Sequence, residues 1–319
     1  MDGILIVDKD EGKTSFDVIR DVRKKYNEKK VGHIGTLDPL ASGVLPILMG
    51  KATKLSDYLM EHSKEYIAKI KLGELTETGD REGKIIKTQD VPKDINSEKI
   101  QNILNEFLGK TYQTPPMYSA LKIDGKKLYE LARSGQEIER KPRKIEITDI
   151  DLINYDSIKN EISYKVSCSK GTYIRVLSED IAKKLGTLGY MTYLRRTRVG
   201  NFTLADSGRF IPIGNVFKNN SKIIIKSQDE LRKFLNGVRI KVNNNLLKID
   251  DDLPKNNFSE KMNLHNEKYI NIEKNEDNNT KNNFYETINL HNVYYNEKFI
   301  GICKEDDESI KRFIVLIDN

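Results

Sequence analysis

The chain has 319 residues, 37% of them hydrophobic and 8% aromatic, which suits a globular protein large enough for two domains. No apolar run reaches the roughly 18 residues of a transmembrane helix, and the N-terminus is unlike a secretory signal. The two cysteines lack metal-ligand spacing and fit a reduced, cytoplasmic compartment. The net charge is +11 over residues 1–250 and −5 over residues 251–319; this basic body favours a polyanionic partner, although charge alone does not exclude a merely soluble basic protein.

The N-terminal segment predicts a buried strand followed by a capped helix. Ile4 to Val7 is a short apolar run that leads into the sequence KDEGKTS. Thr14 and Asp17 have the spacing of a helix-capping box. Apolar side chains then recur at helical spacing at Phe16, Ile19, Val22 and Tyr26.

The segment from Gly32 to Pro46, GHIGTLDPLASGVLP, contains three glycines and two prolines around Asp38. Glycine permits backbone angles and close approaches that side chains forbid, and proline fixes the path of the chain. Ordering such a loop is costly in conformational entropy, so we expect contacts or a function to hold it. Taken alone, an Asp-Pro pair more often marks a surface turn.

The next region predicts a helix over residues 51–59 and a half-buried strand over residues 66–72. In that strand Tyr66, Ala68, Ile70 and Leu72 alternate with polar positions. A tyrosine at the start of a strand is by default a residue at the edge of the core. A polar turn over residues 76–83 and a strand over residues 84–88 complete this region.

An amphipathic helix is predicted from Ser97, its expected N-cap, to Gly109, with an apolar stripe at Ile100, Ile103, Leu104, Phe107 and Leu108. Residues 113–122 contain two consecutive prolines and predict a loop. Basic residues then cluster, and they indicate either a phosphate-contacting surface or a solvated face: Lys126, Lys127, Arg133, Arg140, Lys141, Arg143 and Lys144.

Residues 162–168 alternate as a strand that ends in the sequence KGTYIR. A helix follows, with an inward stripe at Ile174, Leu177, Ile181 and Leu185 and with Gly186 at its end. Arg175 therefore lies at a strand-to-helix corner, where it could be an ordinary surface residue. Residues 194–198, LRRTR, form a second basic cluster.

The composition changes near residues 217–222. Apolar segments at residues 223–225 and 231–242, with an Asn-Gly turn signal at Asn236, predict a small β domain that resumes at residues 293–302 and 313–317. Between its halves, residues 243–292 are rich in Asn, Lys and Glu and predict a flexible insert. His265 and His291, which we place in that insert, are too isolated to indicate a metal site.

Four of these segments together resemble the TruB family of tRNA pseudouridine synthases. They are the KDEGKTS motif, with Asp10 where the family usually has proline, the loop around Asp38, the KEYIAKIKLG strand and GTYIR. The resemblance is strong over residues 1–212 and weak beyond. It implies an α+β pseudouridine synthase fold, a largely antiparallel sheet with a central cleft and flanking helices, over residues 1–218. A PUA-like RNA-binding β domain, interrupted by the insert, is implied for residues 219–319.

The resemblance also implies roles for individual residues. The catalytic set is Asp38, Tyr66 and Arg175, in which Arg175 pairs with the aspartate. The substrate-binding set is His33, Lys9, Tyr173 and Leu194. Without the resemblance, Lys9 could be a solvated strand end, and His33 could hydrogen-bond within its own loop.

The implied reaction is the isomerisation of uridine 55 in the T loop of tRNA after base flipping. This chemistry needs no nucleotide cofactor and no metal, and the sequence has neither a Walker loop nor a dinucleotide fingerprint. The expected partner is the T-arm stem-loop of tRNA, with no membrane and no required protein partner, and a monomer is expected. Two alternatives stay open: an RNA-guided synthase subunit, and a non-catalytic tRNA-binding or folding protein.

Overall fold

The computed structural model describes residues 1–60, 62–123, 125–216, 221–241, 246–249, 290–306 and 309–316. The chain divides into two compact units. The larger unit comprises residues 5–47 and 56–209, and the smaller unit comprises residues 1–4, 48–55 and 210–319. Within the described ranges, no helix is both long enough and apolar enough to cross a membrane.

The first part of the chain, which supplies the larger unit, contains both strands and helices. Its helices are α1 (Ser15–Tyr26), α2 (Ser56–Met60), α3 (Ser97–Asn105), α4 (Leu128–Arg133) and α5 (Ile174–Lys184). Its strands are β1 (Gly3–Lys9), β2 (Val31–His33), β3 (Ser42–Met49), β4 (Lys64–Leu72), β5 (Glu74–Thr76), β6 (Ile85–Thr88), β7 (Gly109–Gln113), β8 (Lys122–Ile123), β9 (Lys126–Lys127), β10 (Arg143–Asp156), β11 (Glu161–Cys168), β12 (Gly189–Val199) and β13 (Phe202–Thr203).

One sheet organises the larger unit, with its strands in the order β1, β3, β12, β4, β11, β10 and β7. Pairing is antiparallel from β12 outward to β7, whereas β12 and β3 run parallel. Strand β12 therefore lies between the strand that follows the Asp38 loop and the strand that carries Tyr66. The expected α+β fold with a largely antiparallel sheet is confirmed.

The alternating pattern of strand β4 explains how it packs. Tyr66, Ala68, Ile70 and Leu72 are all buried, and the residues between them are partly exposed. Strand β3 instead has all eight residues buried, because both of its faces are covered. The strand predicted from alternation and the helix predicted from the GTYIR corner are both present.

Helix α1 begins as the capping box predicts, since the Thr14 hydroxyl accepts a hydrogen bond from Asp17 N and the Asp17 carboxylate accepts one from Thr14 N. One residue of its predicted apolar stripe is misplaced: Phe16 is 62% exposed, and Val18 is buried instead. The N-cap of α3 is also wrong by one residue, because the Asn96 side chain, not that of Ser97, accepts from Lys99 N. The predicted helix over residues 51–59 is a 3-10 turn at Gly50–Leu55 followed by α2.

The glycine-rich segment from Gly32 to Pro46 is a loop only in its middle. It begins within β2 and ends within β3, and Pro46 accepts a hydrogen bond from Ile34 N across 3.0 Å. A proline fits this buried strand because its carbonyl remains available for pairing although its nitrogen cannot donate. The conformationally special part is therefore residues 34–41.

The smaller unit contains β14 (Phe210–Pro212), α6 (Ile213–Val216), β15 (Lys222–Ile225), α7 (Gln228–Leu235), β16 (Ile240–Lys241), β17 (Leu246–Ile249), β18 (Leu290–Tyr295), β19 (Lys298–Asp306) and β20 (Ser309–Val315). A second sheet has the strand order β16, β20, β19, β18, β15 and β17. Its core is apolar and includes Ile223, Phe234, Val293 and Ile310. This small β unit is consistent with a PUA-like domain.

Two expectations for this region are corrected. Residues 231–235 belong to helix α7, which Ser227 caps by accepting from Glu230 N, and not to a strand. The predicted insert over residues 243–292 is too wide, because residues 246–249 form β17 and residues 290–292 belong to β18. His291 is therefore a strand residue. Residues 250–289, with His265, lie outside the described part of the chain.

Candidate active site

The loop that carries Asp38 is held on both sides of the aspartate. The Ser15 hydroxyl accepts a hydrogen bond from Leu37 N at 2.9 Å and donates one to Leu37 O at 3.1 Å. Gly12 N donates to Pro39 O at 2.8 Å. Because these bonds come from the β1–α1 connection, the KDEGKTS motif and the Asp38 loop form one structure.

Arg175 is the direct partner of Asp38. Its Nε lies 3.2 Å from Asp38 Oδ2, and its Nη1 lies 3.5 Å from Asp80 Oδ2. The guanidinium also donates to the carbonyl oxygens of Thr78 and Tyr118, at 3.0 and 2.6 Å. The side chain of Asp38 is 40% exposed, whereas those of Arg175 and Asp80 are only 8% and 6% exposed. Asp38 is thus the accessible carboxylate of a buried ionic group.

Asp80 is a site residue that sequence reasoning missed. It lies in the polar turn TETGDREG, which predicts no more than a connection. Its Oδ1 accepts from the Thr78 hydroxyl at 2.6 Å and from Glu82 N at 3.1 Å. These bonds leave the second carboxylate oxygen facing Arg175.

Helix α5 sets the position of Arg175. The helix begins at Ile174, and its N-cap residue Tyr173 is held by Gln113, which accepts from Tyr173 N at 2.8 Å and donates to Tyr173 O at 3.1 Å. A cation in the first turn of a helix is opposed by the helix dipole, so the two carboxylates compensate the buried charge of Arg175. Tyr173 enters this arrangement through its backbone.

Lys9 holds the Asp38 loop through its ammonium group. It is 1% exposed, and its ammonium donates to the carbonyl oxygens of Lys13, Asp10 and Pro39 at 2.6, 3.0 and 3.4 Å. Burial lowers the pKa of Lys9, and the negative charge of Asp38 opposes that shift. The interpretation of Lys9 as a solvated strand end is therefore wrong.

Tyr66 and Leu194 face the same side of the sheet. Tyr66 in β4 lies opposite Arg196 in β12, and Leu194 lies opposite Ala68. Tyr66 and Leu194 are each 7% exposed. Burial raises the pKa of Tyr66 to about 12, although the positive charge of Arg196 acts in the opposite direction. The phenol is therefore neutral at physiological pH.

His33 ends strand β2, just before the Asp38 loop. Its side chain is half-buried, and within the described residues its Nδ1 has no hydrogen-bond partner. Burial lowers the pKa of His33, and the positive charge of Arg196 lowers it further. The imidazole is therefore neutral at pH 7, and the expected hydrogen bond within its own loop is not found for Nδ1.

This arrangement suits chemistry carried out by one oriented carboxylate. Asp38 can act as a nucleophile or a base, and Arg175 fixes its geometry. The negative charge of Asp38 also acts on the buried phenol of Tyr66, because it helps to raise the pKa of that group. Across the described ranges, no three His, Cys, Asp or Glu side chains lie close enough together to hold a metal ion.

Comparison with protein families gives two matches. Residues 23–174 match the TruB family pseudouridylate synthase N-terminal domain, and residues 175–238 match the tRNA pseudouridylate synthase B C-terminal domain. The first match contains Asp38 and Tyr66. The second begins at Arg175.

The fold is also found in solved structures of low sequence identity. One is the crystal structure of a Cbf5–Nop10–Gar1 complex, with a TM-score of 0.61, 22% identity and coverage of 99% of this chain and 84% of that chain. Another is an H/ACA RNP bound to a substrate RNA containing 2′-deoxyuridine, with a TM-score of 0.61, 20% identity and coverage of 99% and 85%. At these identities the likeness concerns the fold alone.

Other proteins share a much higher sequence identity with this chain. The chain is 48% identical over 256 residues to tRNA pseudouridine synthase B of Clostridium kluyveri, and the alignment covers 76% of this chain and 86% of that protein. It is 43% identical over 262 residues to tRNA pseudouridine synthase B of Mycoplasma mycoides subsp. mycoides, which covers 78% and 89%. Because the two family models together match residues 23–238 and the alignments cover most of each relative, this chain belongs to the TruB family of pseudouridylate synthases.

Proposed function

We propose that this protein is a tRNA pseudouridine-55 synthase that converts uridine to pseudouridine in the T loop, with Asp38 as the catalytic carboxylate. The observation that carries the assignment is the half-exposed Asp38 carboxylate, held 3.2 Å from a buried arginine at the head of a fixed loop. An accessible carboxylate in a rigid setting is what a reaction at an enclosed sugar or base requires.

The reaction breaks the N1–C1′ bond of uridine and joins C5 to C1′. The proton on C5 is lost and N1 gains one, so atoms balance without an oxidant or a second substrate. The Asp38 carboxylate serves either as a nucleophile on the sugar or base or as the base of a glycal route. In both routes Arg175, bonded also to Asp80, keeps the reacting oxygen in place.

The other site residues have supporting roles in this proposal. Tyr66 and Leu194, on one face of neighbouring strands, line the pocket for the flipped base. Tyr66 stacks on that base near the departing C5 proton. Lys9 acts by supporting the loop, since its ammonium is occupied by backbone carbonyls. Tyr173 borders the pocket from the start of α5.

Uridine must leave its stack before Asp38 can reach it. Hairpin loops of RNA offer such unstacked bases, and His33, at the edge of the catalytic loop, is placed to fill the vacated space. The burial of its Nδ1 means that this insertion requires the imidazole to turn outward. The basic residues between 126 and 144 supply phosphate contacts. We further propose that the enzyme acts in the cytoplasm as a monomer, without a required protein partner.

The test is turnover by the purified protein alone. An unmodified tRNA transcript and a T-arm hairpin are incubated with enzyme, and pseudouridine is mapped at single-nucleotide resolution. We expect modification at position 55 only. No pseudouridine in either RNA, with binding intact, would contradict the enzymatic assignment and favour a tRNA-binding protein.

The fold that this chain shares with the Cbf5 complex is also compatible with one rival function, that of an RNA-guided synthase subunit. Such a subunit depends on guide RNA and partner proteins. The same experiment separates the two, because modification of free tRNA by the isolated chain excludes a requirement for guide RNA.

A further inference from the structure

Arg196 is the largest side chain in the described core that is completely buried, at 0% exposure. It belongs to LRRTR, the second basic cluster of the sequence, and basic clusters are by default exposed. A guanidinium with no exposed surface cannot bind phosphate. Its position in β12, the strand between β3 and β4, suggests a different use.

The guanidinium bridges the two ends of the catalytic loop. Its Nε donates to Val44 O at 2.8 Å, after Asp38 in sequence, and its Nη2 donates to Gly35 O at 2.9 Å, before Asp38. A longer contact of 3.5 Å joins Nη1 to Thr36 O. The planar fork of arginine allows one side chain to hold several acceptors at once.

The same side chain reaches the third strand. Arg196 lies directly opposite Tyr66 in the β12–β4 register, and its guanidinium interacts electrostatically with the Tyr66 phenol. The Asp38 loop and Tyr66 belong to separate elements, and Arg196 is bonded to the first and is the cross-strand neighbour of the second. It is therefore placed to set the position of the proposed catalytic loop relative to the proposed stacking tyrosine.

Two glycines of the loop segment make room for Arg196. A Cβ on Gly43 would lie 2.1 Å from Arg196 O, and one on Gly35 would lie 3.2 Å from Arg196 Nη1. Both glycines also have positive φ, at 112° and 76°. The glycine pattern of this segment thus fits close approach of Arg196 as well as the path of the loop.

Among the described residues, no carboxylate lies within ion-pair distance of Arg196, and its side-chain hydrogen bonds go to backbone carbonyl oxygens. Its positive charge helps to lower the pKa values of His33 and Lys9 and opposes the rise in the pKa of Tyr66. Burying such a cation is costly, and a core apolar residue would avoid the cost. A site function accounts for its presence.

We infer that Arg196 is a positioning residue for pseudouridine formation, which holds both ends of the Asp38 loop in place beside Tyr66. The inference rests on the proposed function. Arg196 touches no substrate in this role; it acts through the groups that do.

The test compares Arg196→Lys and Arg196→Met with wild type in single-turnover reactions on the T-arm hairpin at saturating enzyme. Because a displacement of about 1 Å at a reacting group costs on the order of 100-fold, we expect a rate loss of about that size in both variants. The dissociation constant of the hairpin should be unchanged, since Arg196 is inaccessible to RNA. Arg23→Lys is the matched control, because Arg23 also donates to a backbone carbonyl, that of Val31, but lies on α1.

A second readout separates positioning from general loss of structure. The pKa of His33 is measured by NMR and assigned with His33→Asn. It should rise in Arg196→Met, which removes the positive charge, and stay near the wild-type value in Arg196→Lys, which keeps it. In Arg23→Lys it should not change.

Three outcomes would overturn the inference. They are wild-type chemical rates in a folded Arg196 variant, a rate loss fully explained by weaker hairpin binding, and an unchanged His33 pKa in Arg196→Met. If neither variant folds, Arg196→Gln, which keeps a side-chain N–H donor in the core, is compared in the same way, and a wild-type chemical rate in that variant would overturn the inference. Absence of pseudouridine formation by wild type would instead defeat the proposed function.

Discussion

The two units of this protein differ in what they bury. Among the described residues, the larger unit buries charged side chains close to one loop: Lys9, Asp80, Arg175 and Arg196. The core of the smaller unit is apolar. Of the residues described in this unit, the buried acidic and basic side chains are Glu230 and His291, and His291 is within ion-pair distance of Glu305.

This difference suggests that the buried charges of the larger unit serve to fix the geometry of its site and not to stabilise its fold. A buried ion pair is often no more stabilising than well-packed apolar residues, so its retention needs another reason. In the larger unit the buried charges orient Asp38 and its loop. The following experiments break or sharpen this contrast, beginning with the largest expected effect.

Asp38→Asn should abolish turnover and leave hairpin affinity largely intact, because binding depends mainly on phosphates and RNA shape. Pseudouridine formation and equilibrium binding are measured on the same preparations. Asp57→Asn, at an exposed aspartate of α2, serves as the control. A residual rate near wild type would remove Asp38 from the catalytic role.

Arg175→Lys should slow the chemical step by on the order of 100-fold, because lysine cannot reproduce the fork that contacts both carboxylates. Single-turnover kinetics give the rate. Arg20→Lys makes the same change in an exposed ion pair with Asp17 and should be silent. If both lysine variants behave alike, burial of the Arg175 pair has no bearing on catalysis.

Salt should weaken hairpin binding steeply, since the basic body contacts phosphates: about tenfold or more between low and moderate salt. The slope of log affinity against log salt measures the number of phosphate contacts. Arg196 should add nothing to that slope, in contrast to the exposed side chains of Lys126, Arg133, Lys141, Arg143 and Lys144. A flat profile would contradict the electrostatic interpretation of this surface.

Glu179→Gln should remove a pH dependence of stability. Glu179 lies one turn after Arg175, and burial, with the neighbouring charge of Asp180, raises its pKa to about 7. The folded state then binds a proton more tightly than the unfolded state, so wild type loses stability as pH rises from about 4.5 to about 7. Allowing for solvent screening, we expect the glutamine variant to gain about 1 kcal/mol relative to wild type at pH 8 compared with pH 4. Denaturant unfolding at both pH values measures this, with exposed Glu139→Gln as the control.

Deleting residues 250–289 and joining β17 to β18 with a short Gly-Ser linker should change chemistry and melting temperature least. Loop-closure entropy varies slowly with loop length, and no proposed site residue lies there. Thermal unfolding and single-turnover rates are compared with full-length protein. A lost chemical step in a folded, RNA-bound deletion variant would reveal a catalytic role for this segment.

Much of the site could be predicted from sequence because its elements have strong local signals. The capping box at Thr14, the alternation around Tyr66 and the GTYIR corner each specify a local structure. The Asp38–Arg175 pair that the resemblance implied is present. Asp80 and Arg196 were missed for a common reason: charged residues in polar stretches normally predict solvent exposure, and burial depends on partners distant in sequence.

The smaller unit was harder to predict. Leu231, Phe234 and Leu235 recur at spacings of three and four, and Ser227 precedes them as an N-cap; both signals favour helix α7, and the strand prediction overlooked them. The boundary at residue 218 stays a prediction, and we further expect residues 1–218 to suffice for chemistry, because no proposed site residue lies beyond them. Asp2 O accepts from Ile213 N, and Lys54 donates to Val315 O, both within the smaller unit. A truncation at 218 would remove the second of these bonds.

The position of Arg196 has a consequence for how the enzyme is made. Its bonds to Val44 and Gly35 span 152 and 161 residues of sequence. Contacts of such long range form late and slow the folding of a domain, because the intervening chain must first be ordered. During synthesis the Asp38 loop emerges long before the strand that holds it. We therefore expect catalytic competence to appear only after β12 has been released and inserted between β3 and β4, so that no shorter nascent chain acts on RNA.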